Sequence, residues 1–287
     1  MVMAYHTNVE ALGGMDALTP ERQFARSLRS ALDGHLPYVA QAQACQRFIE
    51  KKVSLESLEA RMIDALSMDI NPLMIAASQI ETPWNFAQAF NCYNERSQLG
   101  ARTYFRSPEL QAFERDVSRL DGADLAPARD STTVCAELLI RNVMRRQRHG
   151  SQNLLPDSVV TLMERVGLNG SIFYDAALFF EQNSFARVQD LAMGLGCSSR
   201  TLTRWFGSVE WTPVQLKQVC MLTKATRLFA TQAPLTAVAH EAGYSDLAHF
   251  SRAFRRSVGV APQWIRQAGF CRAAQLGKSD VDYPNPS

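Results

Sequence analysis

The first half of the chain is dominated by stretches in which apolar residues are spaced three or four positions apart. Pro, Gly and Asn residues separate these stretches. Thr19-Pro20 opens one such stretch, in which Phe24 and Leu28 are four positions apart, and Gly34 ends it. This spacing places the apolar side chains on one face of a helix. The same pattern predicts helices over residues 54–71, 84–100, 108–120 and 131–148. Because strand-like alternation is scarce here, we expect a mainly α-helical protein.

Turn residues and the change in pattern divide the chain into four segments. Residues 1–150 are expected to form a helical regulatory or dimerisation domain. Residues 151–170 are expected to be a linker region with a short helix, from Ser158 to Val166. Residues 171–272 are expected to form a separate, all-α domain, and residues 273–287 are expected to be a flexible tail.

The third segment contains an internal repeat. The pattern of residues 188–196 recurs 47 positions later, that of residues 202–206 recurs 48 positions later, and Pro213 recurs as Pro262. The small drift in spacing is what single insertions in loops produce. Two copies are too few for a solenoid, so the segment is a duplicated module.

Each copy of the repeat has the pattern of a helix-turn-helix unit. In the first copy, residues 188–195 form the leading helix, Gly196 lies in the turn, and residues 198–206 form the second helix. Glycine suits the turn because it adopts a left-handed backbone without strain. Ser198 or Ser199 can cap the second helix. Leu202 and Phe206 are expected to face the core.

The second copy repeats this order, with a leading helix over residues 235–242, a turn at Gly243 and a second helix over residues 246–256. The expected inward-facing residues are Leu247, Phe250, Phe254 and Val258.

The outer faces of the two second helices suggest nucleic-acid recognition. Arg200, Thr203 and Arg204 share one face in the first copy, and Ala248, Ser251, Arg252 and Arg255 point away from the core in the second. An Arg fork fits guanine O6 and N7, a hydroxyl suits several bases, and Ala can contact the thymine methyl group. The candidates for phosphate contacts are Ser198, Lys217, Lys224, Ser245, Arg255 and Arg256.

Residues 243–266 resemble the second helix-turn-helix of the AraC/XylS family of transcription regulators. The matching residues are Gly243, Tyr244, Phe250, Ser251, Arg252, Phe254, Arg255, Arg256, Gly259, Pro262, Trp264 and Arg266. Three positions depart from the family pattern. Asp246 stands where a small polar residue is commoner, Trp211 replaces the usual Gly before Thr-Pro, and Met221 replaces a frequent Arg.

The resemblance covers about residues 171–272 and implies a domain of about seven helices, in which a long helix over about residues 214–230 joins the two modules. It assigns base reading to Arg200, Thr203, Arg204, Leu247, Ala248, Ser251 and Arg252. It implies a regulator that activates transcription by contacting RNA polymerase, with a possible small-molecule or protein effector and a possible homodimer. The family's common β-barrel effector domain is not expected, because the first half reads as helical.

Charge and cysteine usage agree with this interpretation. Residues 171–272 contain 11 Lys and Arg against 6 Asp and Glu, whereas residues 1–170 contain 18 against 20. A basic module behind a near-neutral one fits a polyanionic partner. The scattered cysteines, the missing secretory signal and the lack of a long apolar run indicate a cytoplasmic protein without metal, cofactor or membrane contact.

Two other functions are alternatives to a transcription regulator. An enzyme fused to the DNA-binding module would need a zinc site, but Cys45, Cys92 and Cys135 are 47 and 43 positions apart. The neighbouring His240 and Glu241 have no nucleophile nearby, so no enzyme activity is expected. An architectural protein that bends DNA without reading it is the second alternative, and the two distinct polar faces argue against it.

Overall fold

The structure is a computed structural model. It describes residues 19–33, 50, 84, 87, 88, 90, 91, 95, 101–106, 113–120, 122–124, 126, 129, 158–229, 231, 233–258, 261–264 and 266. The helices expected over residues 54–71 and 131–148, the three cysteines weighed as zinc ligands and the tail from residue 273 lie outside these residues. Among the described helices, none is long and apolar enough to span a bilayer.

The described part of the first half contains one helix with full bounds and one hairpin. Helix α1 spans Pro20–Asp33, as its Thr-Pro start and glycine stop predict. The described residues between 84 and 95 are all helical, which agrees with the helix expected there. Strands β1 (Arg102–Phe105) and β2 (Phe113–Asp116) pair antiparallel, with Arg102 opposite Asp116.

The helix expected over residues 108–120 is therefore wrong, because residues 113–116 form β2. Side chains from other parts of the chain favour the extended form. Asn91 brackets the backbone of Phe105, accepting from its N–H at 2.9 Å and donating to its carbonyl at 2.8 Å. The side chains of Arg102 and Asp116 form an ion pair across the strands. These contacts give hydrogen-bond partners to backbone groups and ionic partners to charged side chains. The local spacing of apolar residues carries no information about such long-range contacts.

The second half is a succession of seven helices from residue 159 to residue 258. They are α2 (Val159–Arg165), α3 (Ile172–Gln182), α4 (Val188–Gly194), α5 (Ser199–Ser208), α6 (Pro213–Phe229), α7 (Leu235–Glu241) and α8 (Leu247–Val258). Residues 262–264 are also helical. The mainly α-helical class is confirmed, and both the short helix expected at 158–166 and the long joining helix lie where the sequence places them.

Two hydrophobic cores share helix α6. The first core combines residues of α2, α3, α4 and α5 with Leu216, Val219 and Cys220 from the first half of α6. The second core combines α7 and α8 with Met221, Leu222, Ala225 and Phe229 from the rest of α6. Each module thus has its own core, and α6 is part of both.

Helix α1 packs into the first core although it precedes that core by more than a hundred residues. Phe24, Ala25 and Leu28 are completely buried there, and Leu32 packs against the same cluster. Helix α2 also buries four residues in this core, starting with Val159. The first module therefore includes two helices that lie N-terminal to residue 171.

Glu181 on α3 lies partly buried beside the start of α2. The backbone N–H of Val160 donates to its Oε1 at 3.2 Å. Burial raises the pKa of this carboxyl, opposed by hydrogen bonds from the start of α2 and by the charge of Arg227. The acidic side chain also lies where the partial positive charge of a helix N-terminus favours it.

Replacing Glu181 by Gln should change how stability depends on pH. An acid whose pKa is raised in the folded protein contributes stability that is present below its ordinary pKa of 4.5 and is lost as the pH rises through the folded value. The glutamine oxygen still accepts from Val160 but does not titrate. We expect the free energy of unfolding of E181Q, relative to the natural protein, to increase from about pH 4 to pH 7.

Urea denaturation at several pH values measures this difference, with E241Q at an exposed position as the control for loss of one charge. A difference between E181Q and the natural protein that does not change with pH would contradict the effect of burial on Glu181.

Candidate nucleic-acid interface

The first helix-turn-helix unit is α4, a turn at Gly196 and α5. Gly196 has a φ of 62°, the left-handed conformation expected for the turn. The hydroxyl of Ser198 accepts a hydrogen bond from the backbone N–H of Thr201 at 3.1 Å, so Ser198 is the cap of α5. At the start of α4, the side chain of Asp190 accepts from the backbone N–H of Arg187 at 2.6 Å. Short-range hydrogen bonds thus begin both helices.

Aromatic residues pack on the core side of α5. Leu202 and Phe206 are buried as expected, and the Phe206 ring lies edge-on to Phe173 at 5.6 Å. Trp211 also lies edge-on to Phe173, at 5.9 Å, and is only 3% exposed. The departure at Trp211 therefore fills the first core and does not touch the outer face of α5.

The outer face of α5 carries the three residues expected there. Arg200, Thr203 and Arg204 are all exposed. The Thr203 hydroxyl donates to the carbonyl of Ser199 at 2.9 Å. Its proton is then engaged, which leaves the oxygen lone pairs and the methyl group for a ligand. The two Arg side chains supply the donors on this face.

The second unit is α7, a turn at Gly243 and α8. Gly243 has a φ of 95°, again in the region that favours glycine. Asp246 caps α8, since its Oδ1 accepts from the backbone N–H of His249 at 2.6 Å. This hydrogen bond, and a second from the Ser245 hydroxyl, hold the pKa of the Asp246 carboxyl below its usual value. The family departure at Asp246 is thereby explained as a charged helix cap.

Four aromatic rings pack together on the core side of α8. Phe250 and Phe254 are fully buried, with their ring centroids 5.5 Å apart, and both approach Phe229 at the end of α6. Tyr244 packs on Phe250 at 5.2 Å, and burial raises the pKa of its hydroxyl. Met221, the third departure, is buried in the same core. The departures at Trp211 and Met221 therefore have packing roles.

The outer face of α8 differs from expectation at one residue. Leu247 was expected in the inward stripe but is 36% exposed, so that expectation is wrong. It is the first residue of α8 and precedes the part of the helix that packs on the core. Ala248 and Arg252 are exposed and Ser251 is half-buried. Leu247 therefore belongs to the surface that the resemblance assigns to base reading.

The phosphate candidates fall into two groups. Arg255 and Arg256 are exposed on the last turns of α8. Lys217 instead donates to the carbonyl of Ala186 at 2.7 Å, and Lys224 donates to the Ser184 hydroxyl at 2.8 Å. Partial burial lowers the pKa of Lys217. Both lysines thus have protein partners, and their contact with phosphate stays a prediction.

The two serine candidates are engaged at the helix starts. Ser198 is the α5 cap, and the Ser245 hydroxyl lies 3.1 Å from Asp246 Oδ2 and 3.2 Å from His249 Nδ1. His249 is exposed and edge-on to Tyr244 at 5.2 Å. A phosphate contact through either hydroxyl therefore also stays a prediction.

The loop between α3 and α4 connects the two modules. A Cβ added at Gly243 would lie 2.7 Å from the carbonyl oxygen of Ser184, so the second turn packs directly on this loop. The ring of Phe185 lies 5.3 Å from the ring of His240 on α7. The hydrogen bonds of Lys217 and Lys224 attach the same loop to α6. We define residues 184–186 as the junction loop.

Nothing in the sequence pattern singles out the junction loop. The repeat has a glycine in each turn, and the sequence does not distinguish the two. Only the second approaches backbone from another module, because nothing lies within 4 Å of a Cβ added at Gly196. The junction loop is thus a structural connection between the modules that the sequence pattern does not reveal.

Comparison with known proteins agrees with this geometry. A helix-turn-helix domain family matches residues 191–268, which include α5 to α8. The HTH-type transcriptional activator RhaS of Pectobacterium atrosepticum is 23% identical over 186 residues, covering 64% of this chain and 64% of that protein. The match spans less than two thirds of the length of that relative. No solved structure matches the chain.

Proposed function

We propose that this chain is a DNA-binding transcription regulator of the AraC/XylS family, and that it activates transcription from an asymmetric DNA site read by α5 and α8. The helix-turn-helix match over residues 191–268 and the similarity to a transcriptional activator support this proposal. The observation that carries the proposal is the matched construction of these helices. Each has buried aromatics behind it and an Arg beside a hydroxyl on its outer face. This chemistry fits base edges in the major groove.

Within this proposal, Arg204 and Arg252 provide most of the discrimination between sequences. A guanidinium fork can donate to both acceptors of guanine. Thr203 accepts from an amino group or packs its methyl group on thymine, since its own proton is engaged by the helix. Arg200 and Ser251 add polar contacts, and Leu247 and Ala248 add apolar ones.

Arg255 and Arg256 supply the contacts to phosphate. They are exposed at the end of α8, beyond the residues assigned to base edges. Contacts of this kind fix the position of the protein on the duplex and make binding depend on salt, but they carry no sequence information. The other phosphate candidates contribute only where a phosphate replaces or joins their present hydrogen-bond partners. They are Ser198, Ser245, Lys217 and Lys224.

The site should be asymmetric because the two outer faces carry different residues. Two recognition helices entering successive major grooves on one side of B-DNA are about 34–36 Å apart. The junction loop and α6 couple the modules on the protein side. A duplex that has to bend to reach both helices costs roughly 1–6 kcal/mol, depending on its sequence.

The remaining partners follow from the same proposal. Activation implies contact with RNA polymerase, and the relative named above is described as an activator. Residues 1–150, apart from α1, are proposed to form a regulatory or dimerisation domain, with a small molecule or a protein as effector. The described hairpin shows that this region is not wholly helical.

Selection from a random duplex pool, followed by footprinting at stated salt, tests the proposal. We expect one preferred sequence, protection longer than a single helical turn, and a loss of about 1–3 kcal/mol for each mismatched base pair. Uniform affinity for competitor DNA would support the architectural alternative instead. Binding without any effect on transcription in a reconstituted system would remove the assignment as an activator.

A further inference from the structure

We propose that α1 is a strap within the DNA-binding unit, and that its docking sets how tightly the two recognition helices bind DNA together. The inference goes beyond the function proposed above but rests on it, since it concerns DNA affinity. Its starting point is the complete burial of Phe24, Ala25 and Leu28 in the first core. Burial of this kind is what elements within one folded unit show.

The two ends of α1 are attached to different modules. Near its start, Arg22 forms an ion pair with Glu210, in the turn that follows recognition helix α5. Near its end, the carbonyl of Leu32 accepts a hydrogen bond from the Ser257 hydroxyl at 3.2 Å, close to the end of recognition helix α8. A helix of 14 residues is about 21 Å long. It can therefore connect the rear of both reading helices.

Helix α1 also contacts α6, the helix that both cores share. With α1 docked, Arg204 and Arg252 remain exposed. The docked arrangement therefore leaves the base-reading faces open, and α1 does not compete with DNA for them. Docking should favour tight binding, because it adds restraints between two modules that have to meet DNA in one fixed relation.

Residues 34–157 connect α1 and α2 along the sequence, and both of these helices pack in the first core. Helix α2 buries Val159, Val160, Leu162 and Met163 in the same first core as α1. Residues 34–157 are thus joined to the DNA-binding unit at both ends. An effector or partner that binds this segment differently when α1 is docked or undocked must shift the docking equilibrium by that difference in affinity. This gives the first part of the chain a direct physical route to DNA affinity.

The test uses the full-length protein and a duplex selected from a random pool with the natural sequence. Leu28→Asp places a charge at a completely buried position and should undock α1. Thr19→Asp is the matched control, because Thr19 is exposed and its hydroxyl accepts from the N–H of Arg22, a role that Asp also performs. Hydrogen exchange in residues 20–33 reports docking.

We expect L28D to increase exchange in α1 and to weaken binding to the selected duplex by about 5- to 150-fold. Binding to a duplex in which one half-site is scrambled should change less than threefold, and T19D should match the natural protein in both measurements. Faster exchange in α1 with unchanged affinity for the selected duplex would overturn the proposal. Slow exchange in L28D equal to that of the natural protein would overturn it too.

Reversal of the Arg22–Glu210 ion pair is a second test, which applies if L28D also loses binding to the scrambled duplex. Arg22→Glu and Glu210→Arg should each weaken binding to the selected duplex by up to about fivefold, as expected for an exposed ion pair, and the double variant should restore it. Failure of the double variant to restore affinity would overturn the strap. If the natural protein selects no sequence, the proposed function fails, whereas the exchange data still report whether α1 docks.

Discussion

Replacement of Gly243 by Ala should destabilise the protein by about 2–6 kcal/mol and weaken specific DNA binding. Two separate costs add to this value. The backbone at φ 95° is strained for any side chain, at about 1–3 kcal/mol. The new methyl group would lie 2.7 Å from the Ser184 carbonyl oxygen, and overpacking of this kind typically costs about 1–3 kcal/mol.

Gly196→Ala is the matched control, since it lies at the equivalent turn of the first module. Its φ of 62° carries a backbone cost of about 1–2 kcal/mol, but nothing lies within 4 Å of the added Cβ. Denaturation in urea gives both free energies of unfolding. Equal losses for the two variants would show that the contact between Gly243 and Ser184 does not contribute to stability.

The Arg252→Ala variant should lose sequence discrimination at one base pair, by about 1–3 kcal/mol or roughly 5- to 150-fold in relative affinity. Arg252 is exposed on the outer face of α8, while the Phe250 and Phe254 rings behind it stay buried. Folding should therefore be little affected. R252K keeps the charge but not the planar fork and should behave like R252A in discrimination. Competition between the selected duplex and single-base variants measures the effect.

Arg256→Ala is the control for loss of a positive charge on the same helix. As a phosphate contact, it should weaken binding to all sequences about equally and lower the salt dependence by about one counterion. An R252A protein that keeps full base preference while losing affinity uniformly would mean that Arg252 contacts phosphate. The base-reading role would then have to pass to a neighbour such as Ser251.

The helices of the second half could be placed from the sequence because their start and stop signals are local. Ser198 caps α5 through an N–H three residues away, Pro213 begins α6, and both turn glycines adopt positive φ. The buried positions of α5 follow from the spacing of Leu202 and Phe206. The repeat then located both outer faces, since residues opposite a buried stripe are exposed.

Local signals were insufficient wherever a distant residue supplies the deciding contact. The apolar spacing of residues 108–120 fits a helix, but Asn91 and Arg102 stabilise a hairpin. The hydrogen bond from the Lys217 ammonium group to a carbonyl 31 residues away could not be read from local spacing either, while its contact with phosphate stays a prediction. Leu247 was expected in the core by spacing, and its place at the first turn of α8 leaves it exposed.

The sequence alone therefore determined that this protein has two helix-turn-helix units with different polar faces, because helix caps, turn glycines and apolar spacing act within a few residues. Tertiary structure alone decided how those units are connected. The docking of α1 across both modules and the seating of Gly243 on the junction loop bring together residues far apart in sequence. Contacts between residues so far apart leave no periodic pattern in the sequence, because each depends on how the intervening chain folds.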